Sequence, residues 1–242
     1  KNELYTFYAS DGIMDIAFNS DGSRIVTANE DGNAQIWDAA TGSELITLVG
    51  GNNYLRAAAF SPDGARVVTV GYDGILRVFD AATGRVLLSF TAGENDDLAD
   101  VAFSPDGKRI ATAAFIIPAA VWDADSGAQL LTLSAEQVTN FTSIAFSPDG
   151  QQLLTSGFDG SATVWEAATG LEVVTLYGHT DIVNDAAFSA DGTLMATASS
   201  DGTAKLWDAA TGRELFTLTG HAAGVVKVAF SSDGRLLATA SR

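Results

Sequence analysis

His179, Asp201, Thr197 and Ser199 are the residues of this sequence whose types could do acid–base chemistry together, since an imidazole, a carboxylate and two hydroxyls are the parts of a nucleophilic triad. Their recurrence argues against it. A second histidine, His221, stands at the same position one period later, while the four earlier copies carry Ala9, Gly51, Glu94 and Gln137 there. A second candidate is a column of carboxylates, Asp15, Asp100 and Asp185, which alternate with Ala57, Ser143 and Lys227 and could hold a hard cation such as calcium. No histidine or paired glutamate joins them. The expectation is therefore of solvated side chains at the mouth of a water-filled channel, with no catalytic residue, no metal and no cofactor.

Composition narrows the partners. The chain has 13 Lys plus Arg against 30 Asp plus Glu, and a net charge of −17 repels nucleic acid and anionic membrane surfaces alike. The absence of cysteine removes disulfides, thiolate nucleophiles and cysteine-ligated metals together. No apolar run approaches the ~18 residues of a membrane span, and the start, Lys-Asn-Glu-Leu-Tyr-Thr-Phe, lacks the layout of a secretory signal, so a cytoplasmic location is expected. The start also lacks an initiator Met, which reads as a piece of something longer.

The elements that must position these residues follow from a repeat. Phe18, Phe60, Phe103, Phe146, Phe188 and Phe230 each precede a polar segment ending in Asp-Gly, at spacings of 42, 43, 43, 42 and 42 residues. Trp37, Phe79, Trp122, Trp165 and Trp207, each followed by an acid, keep the same step. Inside each period, short runs of alternating apolar residues are separated by glycine turns every 8–12 residues, which predicts four short antiparallel strands per copy and no helix. Asp-Gly supplies the positive φ that hairpin corners need.

These marks resemble the WD40 repeat family, whose consensus joins Gly-His, Phe-Ser-Pro-Asp-Gly and Trp-Asp; residues 178–212 match it nearly end to end. The resemblance implies an all-β fold, a β-propeller of four-stranded antiparallel blades with five complete repeats (8–49, 50–92, 93–134, 135–177 and 178–219) and a sixth divided between the termini. On that reading 1–242 is one propeller domain, residues 1–7 are a closing outer strand and 220–242 a partial repeat, and a longer parent would admit seven blades. The alanine-rich, acidic copies resemble prokaryotic members attached to larger regulatory proteins such as signalling ATPases or kinases, although no Gly-Lys-Ser/Thr loop occurs in the chain.

The resemblance also gives His179, Thr197, Ser199, Asp201 and Trp207 a structural role, as a buried hydrogen-bonded tetrad that braces the fifth copy. It implies further that partners are met by loop positions three after the histidine and one before the turn Asp. Here those positions bring Tyr54, Tyr72, Phe115 and Phe158 forward, with Glu30 at the same place in the first copy and Phe141 one residue off. Where the sister copies have Asp-Gly, the third has Phe115-Ile116-Ile117-Pro118. Exposed, this segment is the middle of an apolar patch with an acidic rim of Glu30, Glu94, Asp96 and Asp97; tucked inward, it is a plug repairing a degenerate copy. The expected function is a non-catalytic interaction scaffold or sensor within a larger signalling protein, binding another protein or another domain of the same polypeptide. The alternatives are a propeller enzyme or metal protein working at the Asp column, and self-association through the unfinished blade.

Overall fold

Five or six alternating residues followed by an Asp-Gly corner make a strand and its turn, and the chain repeats that unit throughout. The structure, a computed structural model, describes residues 9, 11–51, 54–93, 97–133 and 140–241. Two compact units are present: Lys1–Ile110 with Trp122–Ala128, and Ala111–Val121 with Gln129–Arg242. Among the described residues, no helix is long and apolar enough to cross a membrane.

The first unit holds two sheets in chain order. One comprises β1 (Ile13–Phe18), β2 (Arg24–Asn29), β3 (Asn33–Asp38) and β4 (Glu44–Val49); the other comprises β5 (Leu55–Phe60), β6 (Arg66–Gly71), β7 (Ile75–Asp80) and β8 (Val86–Thr91). Strands β9 (Leu98–Phe103), β10 (Arg109–Ala114), β11 (Ala119–Asp123) and β12 (Gln129–Leu133) form the third sheet, whose residues fall on both sides of the division. The second unit holds β13 (Phe141–Phe146), β14 (Gln152–Gly157), β15 (Ser161–Glu166) and β16 (Glu172–Tyr177) as one sheet. It also holds β17 (Val183–Phe188), β18 (Leu194–Ser199), β19 (Ala204–Asp208) and β20 (Glu214–Leu218), and a two-stranded sheet of β21 (Val225–Phe230) and β22 (Leu237–Ser241). Five four-stranded antiparallel sheets and a pair of inner strands are what the repeat reading expects of blades. The closing strand expected at 1–7 lies outside the described residues.

Burial is graded across each sheet. The second strands are buried almost throughout, whereas fourth strands such as β8 and β20 are largely exposed. Small residues make close stacking possible. In the first unit Val26, Ala28, Ile36, Leu48, Leu55, Val67 and Phe79 form one core, and in the second Leu154, Val164, Leu176, Met195 and Trp207 form another.

Turn chemistry recurs as regularly as the strands. In the Ser-Pro-Asp-Gly corner, Ser61 Oγ donates to Asp63 Oδ1 at 2.5 Å and the Ala65 amide donates to the same oxygen at 3.0 Å, while Gly64 takes φ +67°. Hydrogen bonding from the serine hydroxyl, then the amide, holds the carboxyls of Asp63, Asp106 and Asp149 below their ordinary value and that of Asp191 at about 2.

The inner strands β1, β5, β13, β17 and β21 each begin with a register shift, at Ile13/Asp15, Leu55/Ala57, Phe141/Ser143, Val183/Asp185 and Val225/Lys227. Such a bulge lets one side chain leave the alternation of the strand. Thr142 and Asn184 use it to donate to the carbonyls of Val183 and Val225, at 2.5 and 2.8 Å.

Candidate functional site

The hydroxyl of Thr197 is the hinge of the polar cluster in the fifth copy. Indole can only donate, so the Trp207 Nε1–H···Oγ1 bond of 2.9 Å makes Thr197 the acceptor and leaves its own proton for His179 Nε2 at 2.7 Å. That assignment puts the imidazole proton on Nδ1, where it donates to Asp201 Oδ2 at 2.8 Å. The carboxylate is further fixed by the Thr203 hydroxyl at 2.6 Å and the Thr180 amide at 3.1 Å.

Burial pulls the His179 pKa below 6.5 against the opposing pull of Asp201, so at neutral pH the pair is a hydrogen bond from neutral imidazole and not an ion pair. Burial alone would raise Asp201; hydrogen bonds from Thr203, His179 and the Thr180 amide overcome it and set the carboxyl at about 2. Ser199 joins the cluster through the backbone, its hydroxyl accepting the Asp201 amide at 3.1 Å and donating to the Asp181 carbonyl at 3.0 Å. Every polar atom in the line has a partner and the side chain of His179 is only 2% exposed, so no group is poised to attack a substrate.

The other copies show what remains when parts are lost. Trp37 and Trp165 still donate to Thr27 and Thr155, at 3.1 and 2.8 Å. In the second copy Gly51 and Phe79 replace histidine and tryptophan, and Thr69 Oγ1 is buried with no partner among the described residues. There Arg77 turns to Asp73 at 2.8 Å, and a Cβ added to Gly51 would lie 3.2 Å from its guanidinium. The arginine fills space that imidazole takes in the fifth copy. The sixth copy keeps the His221 Nε2 to Thr239 Oγ1 contact at 2.7 Å. Glu94 and Gln137, the equivalents in copies three and four, lie outside the described residues.

The carboxylate column requires a correction at one member. Asp185 is 6% exposed where a solvated carboxylate was expected, while Asp15 and Asp100 are half-buried. The column ties successive sheets together within each unit: Asp15 Oδ2 accepts the Ala58 amide at 3.2 Å, Ser143 Oγ the Ala186 amide at 3.1 Å, and Asp185 Oδ2 the Val228 amide at 2.9 Å. Asp185 also has Lys227 at 3.6 Å, and Asp100 accepts the Val101 amide at 2.8 Å. Among the described residues, no three acidic or histidine side chains are grouped to hold a metal.

The aromatic loop positions fall into two pairs, one in each unit. Tyr54 and Tyr72, about half exposed, meet edge to face at 5.6 Å. Arg56, carried outward by the bulge of β5, lies 4.4 Å over the Tyr72 ring, donates to its hydroxyl at 2.6 Å and pairs with Asp97 at 2.8 Å. Sequence reasoning missed Arg56, because only the bulge turns that strand position toward the tyrosines. Gly71 sets the approach of the two rings, since a Cβ there would stand 2.1 Å from the Tyr54 carbonyl. In the second unit Phe115 and Phe158 are edge to face at 5.5 Å. Glu30 is exposed; of the remaining acidic rim, Glu94 and Asp96 lie outside the described residues.

Phe141 does not belong with them. It is 1% exposed, because it opens β13 at the inward position that Leu55, Leu98, Val183 and Val225 occupy in other copies, and it packs against Trp165 at 6.3 Å. One residue of register separates a loop contact from a core side chain.

The sequence model of the WD domain, G-beta repeat family matches residues 1–38, 42–80, 127–166, 170–208 and 212–242. The chain belongs to the WD40 repeat family. Among curated proteins, none matches its sequence. WD40 domains are generally protein-interaction scaffolds and typically non-catalytic.

The WD40 matches leave out residues 81–126, the stretch that holds Phe115-Ile116-Ile117-Pro118. The sheet survives there without the motif: β10 and β11 are joined across this segment, and Trp122 packs on Phe90 at 5.0 Å. Ile116 is 70% exposed, while Phe115, Ile117 and Pro118 are half-buried. The segment thus anchors itself with three residues and presents the fourth.

Proposed function

We propose that this WD40 chain is a non-catalytic interaction domain within a larger regulatory protein, and that it holds a partner protein, or another domain of its own polypeptide, through the loops beside Tyr54–Tyr72 and Phe115–Phe158. The observation that carries this reading is the exposure of Tyr54, Tyr72 and Phe158 at aligned loop positions, each set edge to face against an aromatic neighbour and, at Tyr72, braced by Arg56. An aromatic that is already immobilised loses little entropy when a partner covers it, and such residues dominate binding energy. No comparable arrangement supports catalysis, since the polar tetrad is saturated and Asp15, Ser143 and Asp185 each accept an amide of the neighbouring sheet.

The test is site-specific photocrosslinking. A benzophenone amino acid is placed at Tyr72 or Phe158, and at Leu87 on an exposed outer strand as control, and irradiated in extract of the native host. A discrete adduct from positions 72 or 158, absent from 87 and lost when Tyr54→Ala or Ile116→Ser is added, supports the reading. Equal labelling from all three positions refutes it.

A further inference from the structure

The two aromatic pairs differ in the charge that surrounds them. From Ile110 to Ala204 the sequence contains no Lys or Arg and eleven Asp or Glu, whereas Tyr54–Tyr72 has Arg56 at its centre. Phe158 lies in this cation-free stretch together with Phe115 and Ile116. Asp159 follows Phe158 directly and is exposed. The loop of Asp181, also exposed, lies against the same turn, for a Cβ on Gly160 would be 3.3 Å from the Asp181 carbonyl. Lys205, the first cation after this stretch, is only 10% exposed and is bound to Glu214 at 2.9 Å.

We infer that the Phe115–Ile116–Phe158 patch is the docking site of a basic peptide segment: an apolar anchor flanked by Lys or Arg, the anchor seated on Ile116 and Phe158 and the cations beside Asp159 and Asp181. This rests on the interaction-domain reading above and assigns the partner's chemistry for one of its two pairs. Charge complementarity selects the occupant. An acidic segment would meet the exposed carboxylates of Asp159 and Asp181 at its flanks, and a second copy of the chain brings a net charge of −17 to the same face. The carboxylates are available: Asp159 Oδ1 accepts from the Ser161 amide and hydroxyl, and Asp181 Oδ1 from the Ile182 amide, which leaves the outer oxygens toward solvent.

The probe is a phage-displayed library of random twelve-residue peptides panned on the whole chain, with the selected peptides then synthesised and titrated by fluorescence anisotropy. The expected winners pair a large apolar residue with two or more Lys or Arg. Ile116→Ser or Phe158→Ser should weaken them at least about tenfold. Asp159→Asn with Asp181→Asn should weaken them about fivefold, an effect that shrinks as salt is raised. Urea melts confirm that each variant is folded; Ile116 is exposed enough that its replacement leaves the midpoint unchanged. Winners without basic residues, or winners that lose affinity only on Tyr54→Ala and Tyr72→Ala, overturn this inference while leaving the interaction domain standing. Winners indifferent to all four aromatic and isoleucine variants overturn both. Concentration-dependent sedimentation abolished by Ile116→Ser would identify a second copy as the occupant and also overturn the inference.

Discussion

Three threonines at one repeat position offer a graded test of how the copies are held. Thr197 Oγ1 accepts from Trp207 and donates to His179, Thr155 Oγ1 accepts from Trp165, and Thr69 Oγ1 is buried without a partner among the described residues. Valine keeps the shape and removes only the hydroxyl. In Thr197→Val two hydrogen bonds vanish and both a buried indole N–H and an imidazole nitrogen lose their partners, which should cost about 2–4 kcal/mol. Thr155→Val strands one indole N–H and should cost about 1–2 kcal/mol. Thr69→Val removes a desolvated group that nothing satisfied, so stability should be unchanged or rise by up to about 1 kcal/mol. Urea denaturation followed by tryptophan fluorescence reads all three. Destabilisation by Thr69→Val equal to that of Thr197→Val would refute the argument, because shape and not bonding would then be what the position supplies.

The imidazole of His179 has a folded pKa below its ordinary 6.5, so unfolded chains bind the proton first: the contribution of this copy is complete above about pH 6.5 and is lost as pH falls below it. Urea midpoints from pH 8 to 5 should therefore decline, and His179→Gln should flatten that limb. The carboxyl of Asp201, at about 2 against 3.8, contributes stability above pH 3.8 that disappears as pH falls toward 2, a separate limb that Asp201→Asn removes. Phe141→Ala should cost about 3–4 kcal/mol by melting, as for a buried aromatic, while Ile116→Ser stays within about 0.5 kcal/mol. Gly71→Ala should destabilise the chain by about 1–3 kcal/mol and reduce photocrosslinking from position 72, because the new methyl collides with the Tyr54 carbonyl; unchanged melting and labelling would show that the backbone gives way freely.

The period of 42–43 residues carried the strands and their turns, because those depend on local alternation and on residues at fixed offsets. What escaped it was whatever one residue of register or one bulge decides. Phe141 sits next to a loop position in the sequence but inside the core in space, since strand side chains change face at every step. Arg56 looked like an ordinary strand residue until the register shift at Leu55/Ala57 turned it toward Tyr72. Asp185 looked like a solvated carboxylate, and only the arrival of Val228 from the next sheet shows why it is buried. Long-range amides leave no mark in a pattern of side chains.

The hydrogen bonds that the Ala58, Ala186 and Val228 amides donate to Asp15, Ser143 and Asp185 all span 43 residues, about one period. Duplication or excision of a whole period leaves every such link with a donor and an acceptor still facing each other, whereas a partial insertion strands both. The unit in which this chain can lengthen or shorten by recombination is therefore the entire copy, and drift such as that at Phe115–Pro118 is confined to side chains within it.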